Sequence, residues 1–278
     1  MTLLNQVKTF LRTNRIHPKK QLGQHFLINE EVLSIIIDAG EVSETDVVIE
    51  IGTGLGFLTT ELANFAGRVI GVEVDSILYE ELDSQFADDS SVEIIHKDFL
   101  ELDLPLLIPT DTYPKVIANL PYAITTPILW KLLEHSDYLG CCVLMMQREV
   151  AERIVASPGG KDYGALTIGI SYHADTQLIG TLSADNFYPE PKVESALVRM
   201  SMLDTPRVTV VDESFFFRLV RESFRGRRKM LKNSLKRFAP SDKLTEILSS
   251  LDILPQRRPE TLDITEFAAI ANLLCTNI

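Results

Sequence analysis

The chain reads as an α/β protein, a mostly parallel sheet of seven strands with helices between them, followed by a small all-helical part. Three observations predict this. Short β-branched runs alternate with helical patterns through the first 200 residues. Strand signals vanish beyond about residue 210, and Asp204-Thr205-Pro206 punctuates the change. The length of 278 residues exceeds one average domain of roughly 100–200 residues, so we divide the chain into 1–205 and 206–278.

The elements follow in order. Val47-Val48-Ile49-Glu50-Ile51, ended by glycines, has the continuous apolar character of a buried parallel strand. A helix is expected at 57–65, a second strand at 69–74 and an acid-rich helix at about 76–87. Strands follow at 92–95, 115–119 and 141–146, with a helix at about 126–135 between the last two. The βαβα rhythm predicts a doubly wound, Rossmann-like sheet that binds ligands at the carboxyl ends of its strands. Runs near 176–182 and 193–201 have no long helix between them and should form an antiparallel edge. Helical patterns then fall at about 213–224, 227–238, 241–250 and 263–275, with Ser241 as a cap for the third.

A composition of 45% hydrophobic and 24% charged residues is ordinary for a folded chain and excludes a disordered or fibrous one. No apolar run approaches the roughly 18 residues of a membrane helix, so no membrane partner is expected. The formal charge of −12 argues against a nucleic-acid partner when taken whole. Its distribution argues otherwise. Residues 1–29 form a basic segment with Lys8, Arg12, Arg15, Lys19 and Lys20 and no acid. Residues 30–110 hold nineteen acids against Arg68 and Lys97, and residues 218–237 hold nine Lys/Arg against Glu222. Cys141, Cys142 and Cys275 have no metal or disulfide spacing. They read as small buried apolar residues of a reducing, cytoplasmic compartment, and no metal is expected.

Glu50-Ile51-Gly52-Thr53-Gly54-Leu55-Gly56 joins a strand to a helix, where glycines let the backbone approach a ligand. A dinucleotide fingerprint requires a third glycine where Phe57 stands. The pattern is closer to the loop that binds S-adenosylmethionine (SAM). Glu73, 19 residues beyond Gly54, ends the second strand and can accept both ribose hydroxyls in either cofactor. Asp98 follows the third strand and can receive an adenine amino group, with Phe99 offering backbone contacts. A helix cap or a solvated surface is the alternative for each acid.

Asn119-Leu120-Pro121-Tyr122 ends the fourth strand. Proline restricts its predecessor to extended backbone, so the turn is stiff and can aim the Asn119 side-chain oxygen and the Leu120 carbonyl at one point. Two such acceptors bind an amino group and localise the lone pair of an adenine N6 for attack on a methyl. Tyr122 and Phe187 could clamp a flipped base by stacking. The plainer reading is a strand-ending turn with a half-buried tyrosine.

Together these residues resemble the rRNA adenine N6,N6-dimethyltransferases of the bacterial KsgA type, along nearly the whole chain. Gln21-Leu22-Gly23-Gln24-His25-Phe26-Leu27 is similar to the G-Q-N-F-L motif, with His25 in place of Asn. The glycine loop is similar to E-I-G-P-G-x-G, with Thr53 for Pro. Val72–Asp75 resembles V-E-x-D, Lys97-Asp98 resembles G-D, and Asn119–Tyr122 matches N-L-P-Y. Gln147–Arg153 resembles Q-x-E-V-A-x-R, and Phe187–Ser195 resembles F-x-P-x-P-K-V-D-S, which carries the second aromatic. Phe224–Leu235 is similar to F-x-x-R-R-K-x-L-x-N-x-L, and Arg258–Leu262 resembles R-x-E-x-L. The resemblance implies a SAM-binding catalytic domain with His25, Leu27, Gly52, Gly54, Glu73, Asp98, Phe99 and Asn119 at the cofactor. It implies Asn119, Leu120, Pro121, Tyr122 and Phe187 at the target base. It also implies dimethylation of two adjacent adenosines in the 3′-terminal hairpin of 16S rRNA, on the small ribosomal subunit or its late precursor, by a monomer.

The basic segments suit RNA phosphates: Lys19 and Lys20 at one end, and Arg225, Arg227, Arg228, Lys229 and Lys232 in the helical part. A solvated helix face is the alternative. Three rivals are weighed. A 23S rRNA methyltransferase of the erythromycin-resistance type shares the catalytic motifs but is disfavoured by residues 224–235. An RNA-binding assembly factor without activity is disfavoured by the intact site residues. An NAD dehydrogenase is disfavoured by Phe57.

Overall fold

Parallel strands bury both faces, and the continuous apolar runs of this chain assemble accordingly. A computed structural model describes residues 1–19, 22–226 and 229–276. The strands are β1 (Phe26–Leu27), β2 (Val47–Ile51), β3 (Arg68–Glu73), β4 (Val92–His96), β5 (Lys115–Asn119), β6 (Cys141–Gln147), β7 (Ala174–Leu182), β8 (Phe187–Tyr188) and β9 (Ser195–Met202). Seven of them form one mostly parallel sheet, as the sequence predicts, in the order β4-β3-β2-β5-β6-β9-β7. The pairs from β4 to β6 are parallel, and β9 runs antiparallel to β6 with β7 outermost.

The helices are α1 (Leu3–Thr13), α2 (Glu30–Gly40), α3 (Phe57–Phe65), α4 (Ser76–Gln85), α5 (Thr125–Glu134), α6 (Arg148–Ile154), α7 (Ala165–His173), α8 (Glu213–Ser223), α9 (Leu231–Ser234), α10 (Ser241–Ser250) and α11 (Ile264–Thr276). Contacts divide the chain into two units, Met1–Ala151 with Gln177–Met202, and Glu152–Thr176 with Leu203–Ile278. The division differs from a single cut at 205/206. Tyr163, Ile168 and Tyr172 lie in the same apolar cluster as Phe216, Leu219, Leu248 and Phe267, and that burial assigns 152–176 to the helical unit.

In the first unit, α2 and α3 cover the sheet through Leu33, Ile36, Ile37, Leu58 and Leu62, against Val48, Val69, Ile117 and Val143. Helix α1 has an apolar stripe at four-residue spacing, Leu3, Val7 and Leu11, and its basic residues fall elsewhere. Val7 and Leu11 pack with Phe26, Leu55 and Leu78. A second sheet of two strands pairs β1 with β8, joining Phe26 to Tyr188 and Leu27 to Phe187.

In the second unit, a helix is expected over 227–238; residues 227 and 228 lie outside the described residues, and over 229–238 it is reduced to the single turn α9. Helix α8 ends at Ser223, Met230 is extended, and the Leu231 and Lys232 N–H groups bond the carbonyls of Arg257 and Pro255. Helix α10 matches its expected range, but its N-cap is Pro240 and not Ser241. Among the described residues no helix is long and apolar enough to cross a membrane.

Candidate active site

In the sheet order β3-β2-β5, three neighbouring carboxyl ends place Glu73, Gly52 and Asn119 side by side. They line one cavity with Leu22–Leu27, the glycine loop, Glu50 and Leu120–Tyr122. The loop meets the conformation its glycines suggest. Gly54 has φ +61° and Gly56 φ +75°, and a Cβ on Gly56 would stand 2.5 Å from the Leu82 Cδ2 atom. Close packing is therefore required at Gly56, one residue before Phe57, which opens α3.

Glu73 is 5% exposed and its carboxylate organises the loop. Oε2 accepts the Gly54 N–H at 2.9 Å and the Thr53 hydroxyl at 3.4 Å, while Oε1 accepts the Val74 and Asp75 N–H groups at 2.9 and 2.8 Å. Burial raises its pKa despite those N–H bonds. A ribose hydroxyl would displace the Thr53 hydroxyl, the longest of the four bonds. Glu73→Gln keeps one acceptor oxygen and sets an NH₂ group against the remaining donors. Cofactor affinity should fall about 10- to 30-fold, by the weight of a charge-assisted hydrogen bond. Titration calorimetry with S-adenosylhomocysteine checks this, and a Kd within about twofold of wild type would take Glu73 out of the ribose site.

Glu50 also lines the cavity and was overlooked as a site residue, because it sits within an apolar strand signal. It is 1% exposed and accepts the Thr59 hydroxyl at 2.6 Å. Burial, together with the nearby Glu73 charge, pushes its pKa up to about 8. The cavity wall thus carries two buried acids and no Lys or Arg among its described lining residues. That donor set suits a cationic ligand such as SAM, with its sulfonium and ammonium groups.

At the end of β5, the Asn119 Nδ2 atom donates to the His25 carbonyl at 3.0 Å. The nitrogen end of the amide is therefore anchored, and the oxygen end is left as the acceptor. The Leu120 N–H bonds the Met145 carbonyl, and the Pro121 carbonyl takes the Ile124 N–H and the Thr125 hydroxyl, which holds the turn on both sides of the Leu120 carbonyl. Tyr122 is half-buried; its hydroxyl pairs with that of Ser195 at 2.6 Å, and burial raises its pKa. The His25 ring stacks on Tyr122 with centroids 5.4 Å apart. Its Nδ1 lies 2.6 Å from the Pro189 carbonyl and must be the donor, since a carbonyl only accepts.

Other expected residues lie elsewhere. Phe187 is 1% exposed, inside the apolar cluster with Leu27, Leu33 and Leu197, and is not among the residues that line the cavity. The ring that stacks on Tyr122 is His25. Replacing Phe187 by leucine should cost about 1 kcal/mol of stability and leave methyl transfer within about threefold. Paired thermal-melt and rate measurements decide, and lost transfer at unchanged stability would return Phe187 to the target base. Asp98 caps the turn 99–101 through the Leu100 N–H at 2.8 Å, and Phe99 is buried beside the Lys131 ammonium. Neither is among the cavity residues.

Of the basic residues, Lys19 is ion-paired to Asp75 at 2.9 Å and Arg225 to Glu222 at 2.8 Å. Lys229 is exposed and Lys232 partly so. Lys20, Arg227 and Arg228 lie outside the described residues.

Residues 15–275 match the family model described as "Ribosomal RNA adenine dimethylase". The chain is 42% identical over 266 residues to "Ribosomal RNA small subunit methyltransferase A" of Alkaliphilus oremlandii, covering 93% of this chain and 92% of that one. It is 42% identical over 280 residues to the protein of the same name from Bacillus mycoides, covering 97% and 96%. Among solved structures, a dimethyladenosine transferase from Plasmodium falciparum superposes with a TM-score of 0.77 at 26% identity, over 88% of this chain and 96% of that one. The fold is also that of the 23S rRNA methyltransferase ErmE, with a TM-score of 0.70 at 23% identity, over 90% and 99%.

Proposed function

The chain belongs to the ribosomal RNA adenine dimethylase family, and on that premise we propose that it dimethylates N6 of two adjacent adenosines in the 3′-terminal hairpin of 16S rRNA. The substrate is the small ribosomal subunit or its late precursor, and the enzyme works as a cytoplasmic monomer. One observation carries this reading: the Asn119 amide is anchored by its nitrogen on the His25 carbonyl, at the edge of an acid-lined cavity.

SAM, when bound, supplies an electrophilic methyl on a sulfonium. Gly52, Gly54, Glu73, His25 and Leu27 would hold it, all five being cavity residues. The N6 lone pair of adenine is delocalised into the ring and is a poor nucleophile. Asn119 Oδ1 and the Leu120 carbonyl accept the two N6 hydrogens in the first transfer and the one that remains in the second, favour a tetrahedral nitrogen and place its lone pair for attack. The same dipoles stabilise the positive charge that arrives on nitrogen. No strong base is required, because the N6 proton becomes acidic once the methyl has moved and is lost to water. Tyr122 stacks on the flipped base, steadied from behind by His25.

Lys229, Lys232 and Arg225, with Lys20, Arg227 and Arg228, supply phosphate contacts. Lys19 is left out of this set because its charge balances the covered Asp75 carboxylate, whereas the Arg225 side chain, though paired with Glu222, is 68% exposed.

The test is to incubate the protein and methyl-labelled SAM with undermethylated small subunits and, separately, with 23S rRNA. Label in two adjacent adenosines near the 16S 3′ end is expected. Label in 23S rRNA instead would overturn the substrate assignment.

A further inference from the structure

Residues 22–27 line the cavity and are held by a series of specific contacts. Phe26 and Leu27 pair with β8, the His25 ring bonds the Pro189 carbonyl, and the His25 carbonyl takes the Asn119 amide. One further contact involves charge. Asp75 Oδ2 accepts from Lys19 Nζ and from Gln24 Nε2, both at 2.9 Å. Gln24 Oε1 in turn accepts the Lys19 N–H at 2.7 Å, so the three residues close a ring.

The Asp75 carboxylate has a second set of partners. Oδ1 caps α4 through the Ile77 N–H at 3.1 Å, and the Asp75 N–H bonds Glu73. The carboxyl is 3% exposed. Burial pushes its pKa up, yet the hydrogen bonds from Lys19 and Gln24 bring it below the usual aspartate range. An ionised, covered carboxylate whose balance depends on two donors from 19–24 is a fastening: removing those donors leaves a desolvated charge.

We propose that Asp75 is a positioning residue that latches Gln24 and its neighbours over the cofactor through Lys19, and so sets how long the cofactor stays bound. This rests on the reading of the cavity as a SAM site. A ligand seated behind 22–25 leaves when that segment lifts, and lifting it parts Gln24 from Asp75 Oδ2 and from the Lys19 N–H, which opens the ring that the Lys19–Asp75 pair completes. The Lys19 side chain is 45% exposed, so dissolved salt reaches the ion pair. Cofactor release should therefore quicken with ionic strength.

The experiment uses S-adenosylhomocysteine and the full chain without RNA, followed by stopped-flow. In Lys19→Met the dissociation rate should rise about three- to tenfold, allowing for the exposure of the lysine, with the association rate within about twofold. Raising KCl from about 50 to 500 mM should speed release from wild type and not from Lys19→Met. Lys19→Arg should restore both the slow release and its salt dependence. A general loss of structure would not give that pattern, and thermal melts on the same samples verify folding. Equal dissociation rates in wild type and Lys19→Met, with binding intact, would overturn the latch. Wild type that binds no S-adenosylhomocysteine would overturn the cofactor reading itself.

Discussion

Asn119→Ala should lower the rate constant of methyl transfer by about 10²- to 10³-fold, the weight of one acceptor that acts only as charge develops. The side chain has two ends with separate duties. Its oxygen accepts the N6 hydrogen, and its nitrogen holds the His25 carbonyl at 3.0 Å. Alanine removes both. Loss of the oxygen falls on kcat, because that bond strengthens as the nitrogen turns tetrahedral. Loss of the nitrogen releases one tie on 22–27, and KM for SAM should rise only about two- to fivefold, as for a single neutral hydrogen bond. A split weighted this way between kcat and KM identifies the oxygen as the group that works in the transition state. A kcat within about threefold of wild type would remove Asn119 from the chemistry.

The second large effect concerns stability and pH at Glu50. Its folded pKa of about 8 lies above its value in an unfolded chain. The stability it contributes is therefore fully present below about pH 4.5. It is lost progressively as pH rises through 8, where the buried carboxyl must ionise beside Glu73. Glu50→Gln has the same shape, keeps an oxygen for the Thr59 hydroxyl and has nothing to titrate. The variant and wild type should match near pH 5, and by pH 9 the variant should be the more stable by a few kcal/mol, an order-of-magnitude figure. Denaturant unfolding at the two pH values measures this. A constant difference between the proteins would show that Glu50 does not titrate on folding.

Much of this was legible in the sequence, and the reasons are specific. Buried parallel strands need continuous apolar runs, so Val47–Ile51 and Cys141–Gln147 could be read directly. Gly52, Glu73 and Asn119 each follow a strand, and sheet order alone brings them together. Helix α1 is masked in the sequence because its lysines and arginines dominate the pattern over the stripe of Leu3, Val7 and Leu11. The orientation of Phe187 could not be read. In a two-residue strand, alternation does not say which of Phe187 and Tyr188 faces inward until the β1 partner is known. Lys19 looked like an RNA contact because a charge pattern carries no partner, and its partner lies on another element. The helix over 227–238 failed where the 255–257 loop supplies carbonyls that short-range patterns do not contain.

The contacts that complete the cavity are distant in sequence: Gln24 to Asp75 spans 51 residues, His25 to Asn119 spans 94, and His25 to Pro189 spans 164. Closing such long loops is slow relative to forming local turns. Residues 24–27 thus find their places only after β5 and β8 are available to hold them. A chain that has not yet formed β8 leaves β1 without its partner, and cofactor binding is deferred until most of the sheet has been made. In the living cell, competence to methylate would be a late event of this protein's own synthesis.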